Sequence, residues 1–414
     1  MSARLRASVA ALVVAVLAGC AAPEPPAAVP ALRPELARSG EMKDPVGVGV
    51  LVPPVEGAGA EFRPLVEGAR VAAYRFGLGG DRVELRVGLD DGTADGARRA
   101  MAALLDAGVA GVLLASPGAH TAEALALAAG ARTAVLLPYG SAVGQVPGAW
   151  SLAPATDAVA ARVADALGRA GASRPYRASV AGDDPAGTAA WVGTLAGPAA
   201  TAQEVVTLLE ERRVDSVVVD GPAAEQAALV VALQGLLGTR QLPVVLTPPA
   251  LTPAFGDLLA ASGASGGRLV GVGAGTPEHG APPDAGTDGR AAVFLTAVRL
   301  AAGDPTCRNV YDDDGCADGV PRGDAASHDA TVALVRAADA AGSVDPARVR
   351  DALAGLRLSG DDGLAGPALD FAGYQALSDD DVVVLHASTS DPGVRPTAAD
   401  GSRPALFWFA EAAP

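Results

Sequence analysis

The chain has 414 residues and sets 31 Lys and Arg against 47 Asp and Glu, a formal charge of −16. So acidic a surface is poorly matched to a phosphate backbone, which excludes nucleic acid as a partner. Half of the residues are hydrophobic but only 4% are aromatic, so aliphatic cores are expected, and the length exceeds what one core usually serves, so two domains are expected.

Arg4 and Arg6 open the chain, and Ala7 to Ala18 (ASVAALVVAVLA) is uncharged and apolar. That stretch is shorter than the roughly 20 residues a spanning helix needs. A basic start, a short apolar stretch and small residues at its end read as a secretory signal over residues 1–19. Its end, Leu17-Ala18-Gly19-Cys20, resembles the bacterial lipobox, which implies acylation of Cys20 and anchoring to lipid on the outer face of the cytoplasmic membrane. Loss of Arg4 and Arg6 with the signal moves the formal charge to −18. Residues 20–45 are rich in Pro and Ala and read as an extended spacer.

From Val46 the chain alternates short apolar runs with helical periodicity. Val46–Val52, Val83–Leu89, Val112–Ala115 and Thr133–Leu137 read as strands. Phe62–Phe76, Asp95–Ala107 and Thr121–Ala129 read as the helices between them. A second series places strands at Ala178–Ala181, Ser216–Val219, Val244–Leu246 and Leu269–Val272. Apolar strands separated by helices indicate parallel sheets covered on both faces. Helices follow at Ala291–Ala302, Asp329–Ala341 and Asp345–Leu356, then a late strand pair at Asp381–His386 and Ala405–Phe409. Cys307 and Cys316, the two cysteines after Cys20, read as a disulfide in an exported chain.

Five pieces in order resemble the type I periplasmic binding fold, and within it the branched-chain amino-acid receptors of ABC transporters. They are Val48–Pro54 with Gly68-Ala69, Val87–Asp91 with Ala94–Val109, Ser116-Pro117-Gly118, Val135–Ser141, and Ser327-His328-Asp329-Ala330 running on to Phe371. The resemblance implies an α/β chain with two Rossmann-like lobes of parallel sheet, joined by several crossings and closing on a ligand. Lobe one would span 46–150 and be completed by part of 276–370; lobe two would span 151–275 and be completed by part of 371–414. It implies a solute-binding protein that captures a small polar or amino-acid-like ligand for an ABC permease. The alternative is a sensor or cell-envelope regulator on the same fold that acts through a protein partner.

In that family, loops of lobe one hold a ligand carboxylate through hydroxyls and backbone N–H groups. The matching candidates here are Ser116, Thr121, Tyr139 and Ser141. Lobe two departs from the pattern. Asp183 and Asp184 stand where an aromatic is usual, and are the candidates for holding an ammonium. The acidic residue that commonly meets the ammonium falls near Thr247-Pro248-Pro249, where no carboxylate stands and Thr247 is the candidate. The segment from Gly187 to Glu204 reads as short for a helix plus a strand.

No enzyme chemistry is legible. Gly263-Ala264-Ser265-Gly266-Gly267 has the letters of a nucleophile elbow but sits between a helix and a strand, the reverse of the order that motif needs. His120, His279, His328 and His386 form no local metal-ligand spacing, and Asp312-Asp313-Asp314-Gly315 fails the EF-hand spacing. No cofactor or metal is expected.

Overall fold

The computed structural model describes residues 32–40, 44–57, 59–140, 145–184, 187–238, 240–264, 269–279 and 289–410. The secretory signal, Cys20, Ser141 and Ser265 lie outside the described residues. Among the described residues no helix is long and apolar enough to cross a membrane.

The first sheet is parallel throughout and ordered β2-β1-β3-β4-β5. Its strands are β1 (Val46–Val52), β2 (Val83–Leu89), β3 (Gly111–Leu114), β4 (Ala134–Leu137) and β5 (Ala149–Ser151). The connecting helices are α1 (Glu67–Leu78), α2 (Ala94–Asp106) and α3 (Ala122–Gly130). The pleat divides β1 between two cores. Val46, Val48, Val50 and Val52 pack with Ala69, Ala72 and Phe76 of α1. Leu51 enters the opposite core with Ala97, Met101 and Leu104 of α2. Apolar side chains on both faces are what a covered parallel sheet requires, which is why the strand shows no polar alternation.

After α4 (Thr156–Arg169) comes the second sheet, ordered β14-β13-β10-β9-β8-β6-β7. Its parallel part is β6 (Pro175–Ser179), β7 (Trp191–Thr194), β8 (Ser216–Asp220), β9 (Val244–Leu246) and β10 (Leu269–Ala274), with α5 (Pro198–Glu210), α6 (Ala223–Leu237) and α7 (Pro253–Ala261) between strands. The tail then serves both sheets. It runs through α8 (Arg290–Gly303), α9 (Cys316–Gly319), α10 (Ala325–Ala341), α11 (Pro346–Leu353) and the short pair β11 (Arg357–Leu358) and β12 (Leu369–Asp370). Val332, Leu334 and Val335 of α10 and Val349 and Leu353 of α11 belong to the core of the first sheet. The last strands, β13 (Val382–Ser388) and β14 (Phe407–Ala410), add antiparallel to the second.

Helices α1 and α10 meet closely because residue 68 is glycine. A Cβ there would stand 2.0 Å from the Asp324 carbonyl oxygen and 2.4 Å from Ser327 Oγ. Cys307 and Cys316 form the expected disulfide, with Cα atoms 5.4 Å apart. Its loop is tied to α1 by the buried Glu67, whose two carboxyl oxygens each accept from the Val310 amide at 3.1 Å.

Three local expectations are corrected. The Phe62–Phe76 helix is split into a 3-10 turn over Ala60–Val66, containing Pro64, and then α1; a proline lacks the amide an uninterrupted helix needs. In the Gly187–Glu204 segment the strand comes first, as β7, and the helix α5 second. β6 begins at Pro175, three residues ahead of the expected start.

Candidate ligand-binding cleft

The segments that leave the carboxyl ends of β4, β9 and β10 line one cavity of about 200 Å³. Ligands of open α/β sheets bind at such strand ends. From the first sheet come Phe62, Leu65, Pro138 and Tyr139; from the second, Pro248, Pro249 and Leu251; from the connections, Ala153 and Pro154. Phe62 and Tyr139 stack with ring centroids 4.7 Å apart and planes at 9°. Leu406 and Trp408 on the approach to and along β14 complete an apolar wall. Its volume lies below the roughly 300–1,000 Å³ of drug-sized pockets, so its occupant is small. The lobes also touch directly: Glu61 Oε1 accepts from the Ala223 amide, the first of α6, at 3.5 Å.

Polar groups gather where α10 begins. Asp324 caps that helix, its Oδ1 accepting from the Ser327 amide at 2.9 Å, Ser327 Oγ at 2.6 Å and Tyr139 Oη at 3.0 Å. The next amide, of Ala325, donates to Glu278 Oε1. Arg395 lies 3.5 Å from the same oxygen and donates to the Pro321 and Gly323 carbonyls. Glu278 Oε2 is buried and has no hydrogen-bond partner among the described residues. Burial, and then the nearby Glu278 charge, push the Asp324 carboxyl up to about 7. Burial holds the His279 imidazole below its ordinary value, so it is neutral near pH 7. His279 Nδ1 sits 2.9 Å from the Ala274 carbonyl. That nitrogen must carry the proton, which leaves Nε2 an acceptor.

Of the residues singled out from sequence, Tyr139 lines the cavity, and Ser141 lies outside the described residues. The others are placed elsewhere. Ser116 is fully buried and donates to Asp90 Oδ2 at 2.5 Å, an oxygen that also meets His120 Nε2 at 2.6 Å. Thr121 donates to the Gly118 carbonyl at 2.8 Å. Asp183 accepts from Ser179 Oγ at 2.8 Å. Asp184 accepts from the Ala189 amide at 2.7 Å and faces Arg177, which pairs with Asp220. Thr247 is buried, donating its amide to Gln226 Oε1 at 3.2 Å and accepting from Gln226 Nε2 at 3.1 Å. These contacts hold loops and helix starts together.

Glu278, Asp324 and His279 were not singled out as a site by sequence. Asp324 carried a signal, an acidic residue just ahead of a helical run. Glu278 carried none, standing in a Gly- and Pro-rich connection after β10.

No protein-family profile and no curated protein sequence matches the chain. Solved structures do. A branched-chain amino-acid transporter substrate-binding protein from Streptococcus pneumoniae, in complex with isoleucine, superposes with a TM-score of 0.63 at 16% identity, over 89% of this chain and 100% of that one. A leucine-binding protein from Thermotoga maritima gives 0.59 at 17% identity, over 88% and 98%. An ABC-transporter substrate-binding protein from Desulfitobacterium hafniense, in complex with Leu, gives 0.59 at 16%, over 85% and 99%.

Proposed function

From a chain with the type I periplasmic binding fold, we propose an extracytoplasmic solute-binding protein, anchored to lipid through Cys20, that captures a small ligand between its lobes for an ABC importer. The observation that carries this reading is a single cavity lined by both sheets and by the segments joining them. A ligand held from both sides favours the closed state, and by mass action it stabilises the fold by about 2.7 kcal/mol at a hundredfold excess over Kd. The neighbours that carry isoleucine or leucine support an occupant of that size.

A thermal-shift screen of the purified protein against amino acids, small peptides, amides and amines tests this, followed by small-angle scattering with each hit. At least one solute is expected to raise Tm and reduce the radius of gyration. If no solute does either, transport is the wrong reading, and a regulator acting through a protein partner replaces it.

The anchor is tested separately. Cys20→Ala is expected to release the protein into the medium or to leave an unprocessed precursor, seen by fractionation and intact-mass measurement. A variant that stays membrane-bound and processed as before excludes acylation at Cys20.

A further inference from the structure

We propose that the cleft selects a small organic cation: an amine or ammonium group on an apolar or aromatic body, without a carboxylate of its own. The inference rests on reading the cavity as a solute site, and it names the chemistry of the solute.

Two carboxyl groups, Glu278 and Asp324, line the cavity together with one engaged guanidinium, Arg395. Arg322 lines it too, but its guanidinium is taken by Asp400 at 3.2 Å and by Ser402. Glu278 Oε2 is cut off from water and lacks a donor among the described residues. A buried carboxylate oxygen without a donor is costly, and an arriving ammonium N–H removes that cost. His279 Nε2 adds a neutral acceptor, so the acceptors along this wall suit the three N–H donors of a primary ammonium. The rest of the lining is proline, leucine and aromatic rings, Phe62, Tyr139 and Trp408 among them. Ring faces attract cations and accept an apolar body alike.

The same inventory disfavours an anion. A carboxylate in the cavity meets Glu278 and Asp324, while the hydroxyls that were candidates to hold one are committed: Ser116 to Asp90 and Thr121 to Gly118. The competing account is that Glu278 and Asp324 only cap α10. Capping predicts a change in stability with no change in ligand preference.

Calorimetric titration of the purified protein with size-matched probes separates these accounts: 3-methylbutylamine and phenethylamine, the amino acids leucine and phenylalanine, and 4-methylpentanoate. Amines are expected to bind at least tenfold more tightly than the matching amino acids, and the carboxylate not to bind. Glu278→Gln retains an acceptor for the Ala325 amide and is expected to weaken amine binding by tenfold or more, with the unliganded Tm nearly unchanged. Asp324→Asn supplies an independent variant with the same expected loss. The proposal is overturned if amino acids or the carboxylate bind as tightly as the amines, if both variants keep wild-type amine affinity, or if no amine binds. Capture of some other solute with compaction would leave the solute-binding reading intact and remove only this one.

Discussion

Asp329→Ala is expected to destabilise the protein by about 3–5 kcal/mol, the cost of stripping the partner from a buried charge. Asp329 is nearly fully buried and serves three donors. Its Oδ1 accepts from the Ala365 amide at 2.7 Å and lies 2.7 Å from His328 Nδ1, while Oδ2 accepts from the Gly366 amide at 2.8 Å. Beyond the imidazole, His328 Nε2 lies 3.0 Å from Arg75 Nη1, whose guanidinium also donates to the Gly363 carbonyl at 2.9 Å. Burial lowers Arg75 to about 10, and the Asp329 charge works against that fall. Removing the carboxyl strands two amides, a ring N–H and a buried cation at one stroke. Urea unfolding monitored by Trp fluorescence measures the loss, and a change below 1 kcal/mol would show that the network is dispensable.

Glu67→Gln should stabilise the protein at pH 8 by about 3 kcal/mol and be close to neutral at pH 5. Burial raises the Glu67 carboxyl from 4.5 to about 7, against a smaller opposite effect of the Val310 amide. Between those values the folded chain holds a proton that the unfolded chain has lost. Stability from this group is therefore fully present below pH 4.5 and is lost as pH rises through 7. Asp324 acts in the same direction over a similar window. His279 and His328, held low by burial, act oppositely below 6.5, so the wild-type profile mixes signs. The difference between wild type and Glu67→Gln isolates the one carboxyl. Two parallel stability-versus-pH curves would refute the assignment.

Much of the fold was legible because covered parallel strands and amphipathic helices leave distinct periods. Val46–Val52, Val83–Leu89 and Val244–Leu246 came out with the observed bounds. Strands β5 and β7 were missed for a physical reason. Each is three or four residues long, and β7 is an edge strand whose side chains alternate between half-buried and exposed, so neither makes an apolar run. The segment from Ser327 to Ala330 stood out as the most specific match, and the structure supplies its cause: His328 and Asp329 are the centre of the buried network that fastens α10 to the 363–366 turn. The cleft was less legible. Local polarity marked Ser116, Thr121 and Asp184, but a loop hydroxyl or carboxyl is read the same way whether it meets a ligand or its neighbour's backbone. Glu278 and Asp324 lie 46 residues apart in sequence and meet only because Gly68 lets α10 settle against α1.

The tail that serves both sheets sets an order in time. The first sheet presents Val48, Val50 and Leu113 to α10 and α11, so that face stays bare until the chain has grown past residue 353. The second sheet waits longer still, since β13 and β14 complete it near residue 410. Contacts of such long sequence separation form late and slowly. No shortened fragment contains a finished core, and either half made alone would expose the apolar face of a sheet. A route that threads the chain unfolded would meet little premature structure, and the protein would fold only once nearly all of it had arrived.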